Sequence, residues 1–290
     1  MRIEVIGCRG QLGRELMEVL EGSSHEASGH DVDGVDVADP ASVAAVLEAA
    51  RPEAVINCAA WTAVDTAESE PEAAWQVNAT GPRVLAEACR DRGIWLCHLS
   101  TDYVFDGTAT EPIPEDATPH PRSAYGRGKL AGEEAVREVL PGRHQVVRTS
   151  WLYGQRGPNF VLTILRAAGE GRPLRVVDDQ WGSPTWTGHL APALIRLLEL
   201  AAAGTYHLTG SGSTSWHGFA EAILAAAGIR AALEPIPTSA RPAPAPRPAY
   251  SVLDNRAWRE LGEAPLPAWE GGLRTYLRRL SESHATQSDP

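Results

Sequence analysis

Residues 1–13, MRIEVIGCRGQLG, predict the fold of the chain. A short apolar strand breaks at Gly7 into a glycine-rich turn, and a helix follows directly. Gly7 permits the tight turn, Gly10 lets a pyrophosphate approach the backbone, and Gly13 allows close packing of the helix. The amino end of that helix offers N–H groups and a positive dipole to a phosphate. The opening therefore predicts a dinucleotide-binding loop, with an ordinary strand–helix turn as the alternative.

Strands and helices alternate through the rest of the first half. Helices are predicted at residues 40–50, 71–92 and 123–140, and extended segments at 54–60, 94–100 and 145–153. This alternation is typical of α/β proteins. We expect a Rossmann-like, doubly wound parallel sheet with a smaller C-terminal α/β substrate-binding lobe. Residues 1–150 would form the NAD(P)-binding domain, completed by segments around 186–210. Residues 151–290 would form mainly the lobe, ending in a polar, disordered tail at 281–290.

The expected ligand site lies at the carboxyl edge of the sheet, where open α/β sheets bind their ligands. Residues 57–60, residues 100–102 and Trp151 follow strands and should converge there with the glycine loop. Asp31 and Asp33 lie near the expected end of the second strand, where a carboxylate accepts from a ribose 2′-hydroxyl and repels a 2′-phosphate. Arg9 can offset that repulsion, so NADH and NADPH both remain open.

Lys129 is the only lysine of the chain; the other 25 of its 26 basic residues are arginine. It lies four residues after Tyr125, so both side chains fall on one face of the helix that Ser123 can cap. A phenol titrates near pKa ~10, and a close ammonium together with a bound oxidised nicotinamide favours the phenolate. We therefore expect Lys129 and the nicotinamide to lower the pKa of Tyr125 together and make it an acid catalyst. An exposed lysine beside a packed tyrosine is the alternative.

The chain resembles the extended short-chain dehydrogenase/reductase superfamily and, within it, the dTDP-4-dehydrorhamnose reductase family. The resemblance is carried by an ordered set of motifs besides the glycine loop and the tyrosine–lysine pair: NCAAWTAVDTAE at 57–68, NAT at 78–80, STDYVFDG at 100–107, RTSWLY at 148–153, DQWGSPT at 179–185, GTYHL at 204–208 and RPAYS at 247–251. It implies NAD(P)H-dependent reduction of the 4-keto group of a dTDP-4-keto-6-deoxysugar, with dTDP-4-dehydro-L-rhamnose reduced to dTDP-L-rhamnose.

The resemblance also implies roles for individual residues. Tyr125 would protonate the sugar carbonyl oxygen, Lys129 would hold the nicotinamide ribose, and Thr101 would hydrogen-bond the reacting oxygen. The implied cofactor-binding residues are Gly7, Gly10, Gln11, Leu12, Gly13, Asp31, Asp36, Val37, Ala59, Ala60, Thr62, Ser100, Tyr125 and Lys129. The implied substrate-binding residues are Thr101, Asp102, Trp151, Asn159, Phe160 and Arg247.

Three alternatives are weighed against this interpretation. Related 4,6-dehydratases carry a glutamate where this chain has Tyr103, which argues against water elimination and makes Tyr103 a packing residue. A reductase for another keto-deoxysugar of a secondary-metabolite pathway, such as one of the dihydrostreptose type, remains open. So does a non-catalytic, NAD(P)-binding regulatory subunit, although the intact Tyr125, Lys129 and Thr101 speak against it.

Some family members hold magnesium at a dimer interface through glutamates. Glu15 matches the first of these, but residues 186–188 read Trp-Thr-Gly where a second would fall, and the C-terminal end offers only Glu282. Hard cations need several oxygen ligands. We therefore expect no metal there, and Glu15 as a solvated helix residue.

The composition limits the classes of partner that this protein can bind and the compartment in which it is expected. A net charge of −11 argues against nucleic acid. Cys8, Cys58, Cys89 and Cys97 have no metal-ligand spacing and are interpreted as reduced core residues of a cytoplasmic protein. No apolar run reaches the ~18 residues of a membrane span, and we expect no signal peptide. A monomer and a homodimer both remain possible.

Overall fold

The computed structural model describes the backbone of residues 1–287 and side chains up to residue 282. The strands are β1 (Arg2–Ile6), β2 (Glu26–His30), β3 (Ala54–Asn57), β4 (Trp95–Thr101), β5 (His144–Thr149), β6 (Leu152–Tyr153), β7 (Leu174–Val177), β8 (Trp181–Gly182), β9 (Thr185–Trp186), β10 (Gly204–His207), β11 (Thr214–Ser215) and β12 (Leu233–Ile236). The helices are α1 (Gln11–Glu21), α2 (Pro40–Ala50), α3 (Thr66–Ser69), α4 (Pro71–Trp75), α5 (Gly81–Arg92), α6 (Ala124–Val139), α7 (Phe160–Gly169), α8 (Thr187–Leu200), α9 (Trp216–Ala226), α10 (Arg256–Glu260) and α11 (Trp269–Gln287).

Six parallel strands form the central sheet, in the order β10-β5-β4-β3-β1-β2. Alternate residues of each strand enter two separate cores. Val5 and Ile56 pack with α1 and α8, whereas Ile6 and Val55 pack with α2, α5 and α6. Helices therefore cover both faces, and the expected doubly wound α/β fold is confirmed. Strand order reverses between β1 and β3, which is where such sheets bind ligands.

The remaining elements form a second core beside the sheet. Helices α7, α9 and α11 pack around aromatic side chains, among them Tyr153, Phe219 and Trp269. β10 and α8 follow the first part of this lobe in sequence but return to the sheet, where β10 pairs with β5. The chain thus crosses between the two cores more than once.

Local capping explains several boundaries. Ser123 caps α6 by accepting a hydrogen bond from the Gly126 N–H at 3.0 Å. Asp39 caps α2, with Pro40 at its first position. The segment predicted as one helix at 71–92 contains a π-helical turn at Gln76–Thr80. There the Asn78 side chain bonds both the N–H and the carbonyl of Trp61, at 2.9 and 3.1 Å.

The prediction of a disordered tail is wrong over residues 281–287, because α11 continues through Gln287. Residues 288–290, the end of that predicted tail, lie outside the described residues. The helix packs Leu273 and Tyr276 into the lobe core, and these contacts anchor the segment that composition alone marks as polar.

Candidate active site

The glycine loop has the conformation that its sequence predicts. Gly7 adopts φ +80°, and a Cβ there would lie 2.8 Å from the Ala59 backbone nitrogen. A Cβ on Gly13 would overlap the carbonyl oxygen of Gly7, so this glycine is what lets α1 approach the loop. Among the described residues, no side chain caps the Gly10 end of α1. Its first-turn N–H groups therefore face the loop as donors for an anion.

A cleft of about 480 Å³ opens above this loop. Its lining includes the predicted residues Gly7, Gly10, Asp31, Asp36, Val37, Ala59 and Ala60. Cys58, which the sequence also places at this site, is part of the lining. Sequence reasoning missed the other apolar side chains of the lining, which are Ile6, Val32, Val35, Trp61 and Val77. Val32 is 86% exposed, which is unusual for a valine and indicates an apolar ligand surface. The sequence does not show this exposure, so it gave no signal for Val32. Apolar walls beside free N–H groups fit a dinucleotide, with adenosine on the walls and pyrophosphate at the loop.

Asp31 lies directly after β2, as the sequence predicts. Its carboxylate accepts hydrogen bonds from the backbone N–H groups of Arg9 and Val32, at 2.8 and 2.9 Å. The guanidinium of Arg9 pairs with Asp33. A carboxylate and a guanidinium thus both flank the place of an adenosine ribose, and this arrangement does not select between the two cofactors.

Several predicted cofactor residues have side chains engaged elsewhere. Gln11 donates to the Pro158 carbonyl at 3.0 Å, and Leu12 belongs to the core under the sheet. Thr62 is exposed. The hydroxyl of Ser100 donates to Glu133 at 2.5 Å. For these four residues, a cofactor role stays a prediction. Gln11, Leu12 and Ser100 could contact the cofactor through their backbone groups, and Thr62 could contact it because its side chain is exposed.

Tyr125 stands in the first turn of α6 and meets Thr101 at the carboxyl end of β4. The two side chains are neighbours, the Thr101 hydroxyl donates to Asp102 at 3.0 Å, and the Tyr103 ring packs edge-on against Tyr125 with centroids 5.5 Å apart. Burial raises the pKa of Tyr125 to about 12, although the nearby Thr101 hydroxyl lowers it in part and the charge of Asp102 raises it further. The side chains alone therefore do not lower the phenol pKa as we expected, because desolvation outweighs their favourable contacts. The part of the expectation that depends on a bound oxidised nicotinamide stays a prediction.

Lys129 is 2% exposed and lies one turn further along α6. Its ammonium donates to the Leu99 carbonyl at 2.6 Å, so its charge is held beside β4 and does not reduce the pKa of Tyr125. Burial lowers the pKa of Lys129 to about 8, against the opposing charges of Glu133 and Cys58. The alternative of an exposed lysine is excluded, because this side chain is enclosed.

Glu133 continues the same helix face behind Lys129 and was missed by sequence reasoning. Arg148 donates to both its carboxylate oxygens, at 2.9 and 2.7 Å, and Ser100 and Arg137 also contact it. Burial would raise the pKa of Glu133, but these hydrogen bonds and the charge of Arg148 hold it below its usual value. The four-residue spacing from Tyr125 through Lys129 to Glu133 was the signal that could have found it.

Trp151 lies just beyond the end of β5, whose Thr149 is the neighbour of Thr101 in the sheet. Its backbone is left-handed, with φ +48°, and its indole stacks on Trp216 at 3.6 Å with an interplanar angle of 6°. Left-handed backbone on a tryptophan is strained and tends to mark functional positions. Trp216 was not predicted, since it lies 65 positions further along the chain.

The other predicted substrate residues differ in what they contact. Asn159 caps α7 and bonds the Gly154 carbonyl, and Phe160 packs on Trp216, so both have structural contacts that their sequence pattern did not reveal. Asp102 is buried and accepts a hydrogen bond from the Thr101 hydroxyl at 3.0 Å, and burial raises its pKa to about 6 against that hydrogen bond.

Arg247 binds Asp65 at 2.8 Å and lines a small pocket of about 10 Å³, far smaller than the cleft above the glycine loop. Tyr103 lines the same pocket and packs on Tyr125. A guanidinium in such a position can bind phosphate through its fork of donors.

Glu15 is not the solvated helix residue that we expected. It is 6% exposed and accepts hydrogen bonds from Thr187 at 3.1 Å and from Arg279 at 3.3 Å. Burial raises its pKa, and both partners oppose that effect. The Arg279 guanidinium also lies 4.9 Å over the Trp186 ring. Among the side chains that the structure describes, up to residue 282, no group of three His, Cys, Asp or Glu could hold a metal ion. That magnesium is not bound stays a prediction.

The four cysteines are free thiols, but only Cys89 and Cys97 are core residues. Cys8 and Cys58 are partly exposed, and Cys58 lines the cleft, which corrects their assignment to the core. None of the helices within the described part of the chain is long and apolar enough for a transmembrane span.

A dinucleotide cleft at the switch point of a doubly wound sheet, next to a tyrosine and a lysine one turn apart, defines a class: dinucleotide-dependent oxidoreductases of the extended short-chain dehydrogenase/reductase type. The comparisons with known proteins narrow this class. The family model of the RmlD substrate binding domain matches residues 1–282, and the chain belongs to this family. The resemblance stated from the sequence motifs is therefore confirmed.

Three relatives illustrate the similarity. A dTDP-4-dehydrorhamnose reductase of Streptomyces griseus is 46% identical over 275 residues, which cover 93% of this chain and 90% of the relative. A dTDP-4-keto-6-deoxy-D-glucose reductase of Streptomyces niveus is 42% identical over 270 residues, covering 93% of this chain and 94% of the relative. The solved structure of dTDP-4-dehydrorhamnose reductase from Bacillus anthracis in complex with NADP has a TM-score of 0.94 at 38% identity, covering 96% of this chain and 99% of that one.

Proposed function

We propose that this protein reduces the 4-keto group of a dTDP-4-keto-6-deoxysugar with NADPH or NADH, and that dTDP-4-dehydro-L-rhamnose, reduced to dTDP-L-rhamnose, is its substrate. The observation that carries the proposal is the meeting of Tyr125 and Thr101 at the carboxyl end of β4, one helical turn from the buried Lys129. The relatives from Streptomyces griseus and Bacillus anthracis support the choice of substrate and cofactor.

In this mechanism the bound nicotinamide supplies a hydride to the carbonyl carbon. Tyr125 supplies the proton. Its raised pKa keeps the phenol protonated at neutral pH, as a proton donor must be, and the alkoxide formed by reduction is a stronger base than a phenolate. Thr101 would offer a second contact to the same oxygen, where negative charge develops, once its hydroxyl proton turns from Asp102 to the substrate. Lys129, held beside β4 by the Leu99 carbonyl, would donate to the nicotinamide ribose with its remaining N–H groups.

The substrate side is proposed from the geometry around the lobe. Trp151, fixed by its stack on Trp216, forms a flat apolar wall for the deoxysugar. Arg247 binds the nucleotide phosphates once its contact with Asp65 opens. Residues 1–150, with β10 and α8, then hold the cofactor, and the lobe formed mainly by residues 151–290 holds the sugar nucleotide. Four free thiols suit a cytoplasmic enzyme, which acts as a monomer or a homodimer.

A second candidate substrate is dTDP-4-keto-6-deoxy-D-glucose. It is favoured by the relative from Streptomyces niveus, which is nearly as similar as the first. The two substrates differ in the configuration of the sugar ring. The shape of the pocket wall at Trp151 would determine which of them binds.

The test is turnover with both sugar nucleotides, followed by loss of reduced-nicotinamide absorbance and by product identity. We expect turnover with dTDP-4-dehydro-L-rhamnose. Tyr125→Phe should lower turnover by roughly 10²–10⁴-fold while dinucleotide still binds, and Lys129→Ala should weaken both. Unchanged turnover in the phenylalanine variant refutes the assignment. Dinucleotide binding with no turnover of either sugar would favour the regulatory-subunit alternative.

A further inference from the structure

A buried polar chain leads from the end of β3 to Lys129. The side-chain oxygen of Asn57 accepts the backbone N–H of Ala59 at 3.1 Å, so its amide nitrogen must be the atom that faces His98, 3.1 Å from Nδ1. An amide nitrogen only donates. Nδ1 of His98 is therefore the acceptor, and Asn57 cannot be flipped without losing the Ala59 contact.

The proton of the neutral His98 ring must then be on Nε2. The ring is fully buried, and burial together with the charges of Lys129 and Arg137 holds its pKa well below the ordinary value, so the ring is neutral. Nε2 lies 3.5 Å from Nζ of Lys129. A proton donor thus faces the lysine from the sheet.

This arrangement has different consequences for the two forms of Lys129. An ammonium carries three donors and no acceptor, so it can use the Leu99 carbonyl at 2.6 Å but gains nothing from the Nε2–H of His98. A neutral amine can accept a hydrogen bond from that Nε2–H group. The other groups facing the lysine are Glu133 on its own helix, which favours the ammonium, and the Cys58 thiol after β3.

We propose that His98, with its tautomer fixed by Asn57, is a positioning residue for Lys129. It leaves the ammonium donors to the Leu99 carbonyl and to groups other than the His98 ring, and it makes the amine easier to discharge. The active role of Lys129 rests on the proposed function, whereas the tautomer and the titration of the lysine can be measured without any activity.

The first experiment determines the tautomer. Long-range ¹H–¹⁵N spectra of the full-length protein labelled at histidine should show His98 with its proton on Nε2 at neutral pH, with the signal assigned by its loss in His98→Leu. A proton on Nδ1, or a charged ring, overturns the proposal.

The second experiment titrates Lys129 itself. Because it is the only lysine of the chain, ¹³Cε-labelled lysine gives a single signal. Asn57→Asp retains an acceptor for Ala59 and presents a second acceptor to His98, which moves the ring proton to Nδ1 and turns Nε2 into an acceptor. We expect the midpoint of Lys129 to rise by about one pH unit.

The double variant Asn57→Asp/His98→Leu, compared with His98→Leu alone, separates the effect transmitted through the His98 ring from the direct effect of the added charge. If the ring transmits the effect, the rise in the Lys129 midpoint should be less than half as large without it. An equal rise in both backgrounds, or none with His98 present, contradicts the proposal. Under the proposed function, the alkaline limit of kcat/KM should move with the NMR midpoint in Asn57→Asp. A moved midpoint with an unmoved rate profile would refute the role of Lys129 in turnover and leave the tautomer assignment standing.

Discussion

Replacing Lys129 with methionine should make the protein more stable while it abolishes turnover. The side chain is 2% exposed, and burial lowers its pKa from 10.5 to about 8. At neutral pH this shift corresponds to a cost of about 3 kcal/mol for keeping the charge in the folded state. Methionine has a similar length and no charge, but it removes the ammonium's hydrogen bond to the Leu99 carbonyl, which is worth about 1.5–3 kcal/mol because the donor is charged. The expected net gain is about 1 kcal/mol in the free energy of unfolding.

Urea unfolding at pH 7 measures this gain, and its pH dependence checks the cause. A lysine whose pKa is lower in the folded state binds fewer protons there than in the unfolded chain, so the cost is full below pH 8. It disappears as the pH rises from about 8 towards 10.5, and the advantage of Lys129→Met should shrink over that range. Arg127→Met, on the exposed side of the same helix, is the matched control and should change stability by less than about 0.5 kcal/mol. A destabilised Lys129→Met variant, or a gain that does not depend on pH, would refute this reasoning.

Three further changes test other parts of the site. Gly13→Ala should abolish dinucleotide binding in a fluorescence titration, because its methyl group would overlap a loop carbonyl; retained affinity would show that the loop can move aside. Glu133→Gln leaves the buried guanidinium of Arg148 without its counter-charge and should lower the free energy of unfolding, measured in urea, by about 3–5 kcal/mol. A loss under about 1 kcal/mol, which is the scale of an exposed ion pair, would contradict the claim that this pair is buried. Trp216→Ala removes the stack under Trp151 and should raise the KM for the sugar nucleotide about tenfold, which is equivalent to about 1.4 kcal/mol. The KM for NADPH should stay unchanged. Equal changes in both constants would point to a general loss of folding.

The sequence predicts the sheet and the cofactor loop because both depend on local patterns. The strand, the turn at Gly7 and the start of α1 follow from residues next to one another, and so does the Ser123 cap that places Tyr125 in the first turn of α6. The π-helical turn at 76–80 was not predicted, since it depends on the contact of Asn78 with Trp61 in another segment.

The errors concern burial and partners that are distant in sequence. Glu15 looks solvated on its own helix, but Thr187 and Arg279 enclose it from two other helices. The pKa of Tyr125 was expected to fall because a cation lies four residues away. Sequence spacing does not show that the ammonium bonds the Leu99 carbonyl, nor that desolvation of the phenol is the larger effect.

The central claim is that this site delivers a hydride to the C4 carbon of a dTDP-linked keto sugar while Tyr125 protonates the oxygen. Reduction of dTDP-4-dehydro-L-rhamnose with NADPH deuterated at the nicotinamide C4 position, followed by NMR of the isolated sugar nucleotide, tests it directly. The account predicts one deuterium on C4 of the product, formed at least about 10²-fold more slowly by Tyr125→Phe under the same conditions. A reduced product that carries only protium at C4, or deuterated product formed at an unchanged rate by the phenylalanine variant, would contradict it.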